Sequence, residues 1–83
     1  SGAARLYGLI VSGANSVAGD RVDIYDALSA TGTPSFEVTI GTAKETVVVD
    51  LGAGIDFATG VFADQQNGTS HITNLIVTGI YDD

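Results

Sequence analysis

The sequence predicts an all-β fold, a small antiparallel sandwich or barrel of about six to eight strands. Three observations lead there. Val, Ile, Thr, Tyr and Phe recur in short runs, as a pleated and half-buried surface requires. Eleven glycines, with clusters of Ser, Asn, Asp and Thr, separate those runs. Nowhere do apolar residues hold a helical period over about ten residues with a cap at each end.

The first run is Arg5–Ser12, followed by a loop over Gly13–Asp20. The second is Arg21–Leu28, with Val22 and Ile24 on one face and Asp23 and Tyr25 on the other. Ser29–Pro34 has turn chemistry, with Pro34 tolerated at a strand start but not within a ladder. Ser35–Ile40 alternates: Phe36, Val38 and Ile40 point inward, Glu37 and Thr39 outward. Gly41–Glu45 returns the chain into Thr46–Leu51, with Val47, Val49 and Leu51 on one side. Gly52–Asp56 is too glycine-rich for a regular strand and reads as a crossing between sheets. Phe57–Asp64 reads as a strand with a bend or bulge at Gly60. Asn67-Gly68 is a hairpin signal, and Ser70–Tyr81 reads as the closing strand.

At 83 residues the chain is predicted to form one small domain, residues 1–83. Surface scaling for 8.4 kDa gives a folded area of about 4,600 Å². A domain this small is marginally stable, and without disulfides or an evident metal the remaining staple is association with other subunits. Ten Asp and Glu against three Lys and Arg give a net charge of −7. A chain so acidic lacks the basic face that would displace counterions from nucleic acid or hold an anionic membrane. Cysteine is absent, which excludes disulfides, thiolate metal sites and a Cys nucleophile.

Motifs that carry chemistry are lacking. His71 is the one histidine and so the one imidazole base. No serine stands in a G-x-S-x-G context, and His71 reads as an exposed strand residue. Asp20, Asp23 and Asp26 are spaced by three, which sends Asp23 to the face opposite the other two. They read as a solvated edge that discourages aggregation. One His and no Cys cannot build tetrahedral zinc, and no D-x-[DN]-x-[DN]-G loop exists for calcium. Asp64 with Asp82 and Asp83 is at most a weak cation site. Gly52-Ala53-Gly54 lacks the third glycine and the helix of a dinucleotide loop, since Phe57 stands where that glycine belongs. The expectation is no enzyme, no cofactor, no metal and no small-molecule substrate.

What remains is surface. Leu9-Ile10-Val11, Val47-Val48-Val49 and Leu75-Ile76-Val77 put apolar groups on both faces of their strands, although one face of a sandwich strand ordinarily meets water. The outward members, with the tyrosines, make a candidate protein interface: Tyr7, Leu9, Val11, Tyr25, Val48, Val77 and Tyr81.

Four stretches also carry a family likeness: Leu6–Gly13, Ala18–Asp26, Ser29–Phe36 and Asp50–Phe62, together with the apolar-aromatic close Ile76–Tyr81. The chain resembles the small structural proteins of tailed bacteriophages, of the head-decoration (cement) or head–tail accessory kind. The Asp82-Asp83 tail and the long Asn67 turn depart from that pattern. The resemblance implies a virion protein assembled in the host cytoplasm, without a cofactor. It also implies that the major capsid protein or other virion proteins are the partners, and that the chain is a homo-oligomer, with a trimer favoured. The alternative is a carbohydrate- or protein-binding β-sandwich module of a phage fibre, neck or tail.

Overall fold

The computed structural model describes residues 2–83 and contains seven strands in two antiparallel sheets, the small all-β sandwich that the sequence predicts. In chain order they are β1 (Ala4–Ser12), β2 (Asp20–Asp26), β3 (Phe36–Thr39), β4 (Val47–Phe57), β5 (Val61–Asn67), β6 (Ser70–His71) and β7 (Ile76–Asp82). One sheet has the order β4-β1-β7, the other β3-β2-β5-β6. The chain exposes 4656 Å², close to the area that its mass predicts.

The core follows from alternation. Leu6, Leu9 and Val11 of β1 face Val22 and Ile24 of β2, with Val38, Ile40, Phe57 and Leu75 closing the space between. Val47, Val49 and Leu51 pack against this cluster from β4, on the common side the sequence assigns to them. Leu6 and Leu9 are three apart yet both buried, because β1 carries a bulge. Its partners jump between Leu6 and Gly8 on both neighbouring strands, which inserts Tyr7 and resets the inward phase.

Three sequence readings of where the chain changes sheet need correction. Gly52–Asp56 does not cross. Pairing with β1 resumes at Ile55↔Leu6, and only Leu51–Gly54 bow out of the ladder, through positive φ at Gly52 (60°) and Gly54 (97°). The crossing falls instead at Ala58–Gly60, so Phe57–Asp64 is not one bent strand. Phe57 ends β4 in the three-stranded sheet, and Val61 opens β5 in the other. The closing run is likewise divided, with Ser70–His71 pairing with β5 and Ile76–Asp82 with β1. The hairpin at Asn67-Gly68 is present, but Asn67 pairs with Ser70, so Gly68 (φ 61°) and Thr69 form the turn.

Three of the four crossings, β1–β2, β4–β5 and β6–β7, are tied by polar side chains as follows. Asp20 is buried at the start of β2, and its carboxylate accepts hydrogen bonds from the Asn67 amide (2.7 Å), the Val17 N–H (3.0 Å) and the Asn74 amide (3.2 Å). It thereby fixes the β1–β2 loop, the β5 end and the β6–β7 crossing at one point. Asp26, at the other end of β2, accepts from the N–H groups of Ala58, Thr59 and Gly60 at the β4–β5 crossing. The Gln65 amide pairs with the Leu75 backbone in both directions, each bond 3.0 Å, and substitutes for a ladder where β6 leaves the sheet. Asp20 and Asp23 are therefore not a solvated edge: β2 is an inner strand, and both are buried.

Candidate interaction surface

The strand register sets out what each sheet presents on its outer face. On the three-stranded sheet, three rows run across β4, β1 and β7: Asp50–Gly8–Ile80, Val48–Ile10–Thr78 and, beyond the end of β4, Ser12–Ile76. Neighbouring strands lie about 4.8 Å apart, so these residues form one continuous band. Three of its members are large and well exposed: Val48 at 70%, Ile76 at 64% and Ile80 at 52%. Ile10, half-buried between them, completes the apolar surface. Gly8 keeps the band flat, because a Cβ there would lie 2.7 Å from the Val49 carbonyl oxygen and 3.8 Å from Ile80 Cδ1. The far end of the face is charged. Asp56–Arg5–Asp82 form a row, with Arg5 Nε 3.0 Å from the Asp56 carboxylate.

The four-stranded sheet presents a different outer face. Glu37, Asp23 and Asp64 stand directly opposite one another on β3, β2 and β5. Like charges so placed repel. Arg21 on the same face answers them, with Nε 3.0 Å from Asp23 Oδ1 and 3.8 Å from Glu37 Oε2. The Asp23 hydrogen bond, with the charges of Asp23 and Glu37, holds the Arg21 guanidinium above its ordinary pKa. Asp64 accepts from the Gln66 amide at 2.8 Å and lies 3.3 Å from His71 Nδ1. The next row is Tyr25 beside Phe62, both half-buried. No side-chain polar atom buried among the described residues lacks a partner.

The predicted interface residues scatter across the molecule. Leu9 and Val11 are buried in the core, and Val77 turns inward against it, which corrects the sequence assignment. Each of the three apolar triplets turns its middle member out, so the outward residues are Ile10, Val48 and Ile76. Of the three, the sequence reading includes Val48 alone, and it omits Ile80 as well as Ile10 and Ile76. The signal that finds them is the alternation itself, read with the bulge at Tyr7 that sets its phase. Tyr7 lies half-buried over the Gly54 backbone on the outer side of β1. Tyr25 is on the other sheet. Tyr81 is exposed at the mouth of a cleft between the sheets, about 210 Å³ and lined by Leu6, Leu9, Ile24, Val61, Ala63 and Val77 among others. The three tyrosines therefore share no platform.

His71 is exposed, as the sequence predicts. Asp64 and Asp82 belong to different sheets. Among the described residues, no group of three His, Asp or Glu side chains could hold a metal ion. Compared with family models, with curated proteins and with solved structures, the chain matches none.

Proposed function

We propose that this protein is a structural component of a tailed-phage virion: a head-decoration (cement) protein that fastens to the capsid lattice through the outer face of β4, β1 and β7. The observation that carries the reading is the continuous apolar band of Val48, Ile10, Ile76 and Ile80 on a chain of net charge −7. An apolar surface of this kind, rimmed by Asp50 at one side and by Asp56 and Asp82 at its end, has the composition of a docking patch. The resemblance over Leu6–Gly13, Ala18–Asp26, Ser29–Phe36 and Asp50–Phe62 supports the same reading. So does the charge of −7, which keeps the free protein away from packaged DNA until it docks. Each copy then needs only a modest contact, because a repeated lattice displays the receptor many times.

The test is co-sedimentation of purified protein with phage heads that lack it. Wild-type protein is expected to pellet with the heads. Val48→Lys and Ile80→Lys are expected to stay in the supernatant with unchanged circular dichroism, since both positions are on the surface. Equal pelleting of both variants and wild type, or no pelleting of wild type with any virion component, would overturn the reading.

A further inference from the structure

We infer that β7 is a homodimerisation strand. Two copies join antiparallel along its free edge, centred on Thr78, and convert two three-stranded sheets into one of six strands. This goes beyond capsid attachment and does not depend on it.

The inference starts from the four sheet edges. β3 has four residues, follows Pro34 and carries Glu37. The other edge of its sheet is β6, only two residues long, and Gln65 beyond it is engaged by Leu75. On β4 the edge is broken by the Leu51–Gly54 excursion and flanked by Asp50 and Asp56. These are the usual ways of blunting an edge against pairing: shortness, proline, charge and irregularity. β7 has none of them. It runs for seven residues without a break, because the bulge belongs to β1, and it holds no charge from Ile76 to Tyr81. Beyond its ladder to β1, no backbone group of Ile76–Asp82 has a partner among the described residues. Alternate residues thus direct both N–H and C=O into open solvent.

The partner is a second copy because the strand is complementary to itself in one register. With Thr78 opposite Thr78, Ile76 meets Ile80 on the outer face, twice by symmetry. Val77 meets Gly79 on the inner face, where the missing side chain leaves room beside Leu6 and Leu9. A central Thr–Thr pair and flanking Ile–Ile pairs are favourable cross-strand neighbours. Asp82 and Asp83 then project past opposite ends of the ladder, so the two acidic tails do not meet. Sliding the centre to Gly79 would set Asp82 against Ile76, and sliding it to Ile80 would bring Asp82 against Thr78. Centring on Val77 would draw in Leu75, whose backbone is already held by Gln65. The dimer also doubles the apolar band, since the Val48–Ile10 rows of both copies then lie on one sheet. A ladder of about five residues, roughly 17 Å long, is at the low end of interface size, so the dimer is expected in the micromolar range.

A chain without native cysteine offers a direct test, run on purified protein without heads. Thr78→Cys is expected to cross-link to a covalent dimer under mild oxidation, because paired positions on neighbouring strands fall within disulfide reach. Ile80→Cys alone is expected not to cross-link, whereas a mixture of Ile76→Cys and Ile80→Cys is. Thr78→Lys, which sets two ammonium groups on the axis, is expected to weaken dimerisation at least tenfold in sedimentation equilibrium with unchanged circular dichroism. A wild-type chain that sediments as a monomer at high micromolar concentration, or as a trimer, overturns the inference. So does a dimer in which the Thr78→Cys variant fails to link and the mixture of Ile76→Cys and Ile80→Cys stays reduced.

Discussion

The two outer faces are built from the same alternation and come out opposite. On the four-stranded sheet the outward charges are answered within the chain. Arg21 sits between Asp23 and Glu37, and Asp64 is held by Gln66 and approached by His71. On the three-stranded sheet, Ile10, Val48, Ile76 and Ile80 have no neighbour above them, and the strand that carries two of them also ends its sheet. Sequence pattern decides which residues face out. Whether that face is finished or waiting depends on the cross-strand partners each residue meets.

The largest effects are expected at the seam that both faces share. Asp20 joins the β1–β2 loop, β5 and the β6–β7 crossing, and Asp20→Ala removes the acceptor for three donors at once. That variant is expected to lose cooperative thermal unfolding, or to show a larger fall in Tm than any other single substitution on either sheet. Acid probes the same point. The Asn67 amide and the Val17 N–H, aided by Asn74, hold the Asp20 carboxyl below its ordinary pKa despite burial. The N–H groups of Thr59 and Ala58, and then Gly60, do the same for Asp26. A carboxyl depressed in the folded state contributes stability that is complete above its unfolded value, about 3.9, and is lost as pH falls through the lower folded value. Chemical-denaturant midpoints should therefore hold steady down to about pH 4 and drop below it. A midpoint indifferent to acid across that range would contradict the role given to both aspartates.

Next in size is the contrast between inside and outside on the three-stranded sheet. Leu9→Ala should cost about 2–5 kcal/mol, because a cavity opens in the core beneath Val49 and Leu6. Val48→Thr, on the strand that pairs with Leu9, should change stability by no more than about 0.5 kcal/mol. Urea unfolding of the two variants measures the difference. Similar losses in both would mean that Val48 is covered in the isolated chain.

Much of this was legible in the residues. The fold class, the inward sets of β2, β3 and β4 and the hairpin at Asn67 all follow from period-two alternation and turn chemistry, which act locally. The sheet changes were not legible. Ser70–Tyr81 reads as one strand because nothing in Ile72–Leu75 breaks an extended backbone; the break comes from Gln65, whose amide takes up the Leu75 backbone from another strand. Asp20 and Asp26 look like surface charge for the same reason, since the donors that hold them are up to 54 residues away. The interface triplets failed through phase. Without the bulge at Tyr7, Leu9 and Ile10 cannot be told apart by alternation alone, and a slip of one residue exchanges the faces.

The smaller tests concern the charged face. Arg21→Ala leaves Glu37 and Asp23, in a row with Asp64, without their shared cation, and it also removes the hydrogen bond to the Gly68 carbonyl that pins the hairpin. Its Tm should fall, and added salt should recover part of the loss by screening the repulsion. Arg5→Ala should matter less, because the Arg5–Asp56 pair is solvent-exposed and such pairs contribute little.

The smallest expected effect has the opposite sign. Asp64→Asn keeps the size of the side chain and can keep the contact with Gln66, but it removes one of three facing carboxylates. Two terms then compete: the lost attraction to His71, which counts only when that exposed ring is protonated, and the relieved repulsion from Asp23. In a His71→Ala background the first term is gone, so there Asp64→Asn should leave the protein as stable as its parent or slightly more stable. With His71 in place the advantage should be smaller. Thermal melts of the four proteins decide it. An Asp64→Asn substitution that destabilises the His71→Ala protein would mean that the row is held by something other than the balance between Arg21 and the facing carboxylates, and the four-stranded face would no longer count as electrostatically complete.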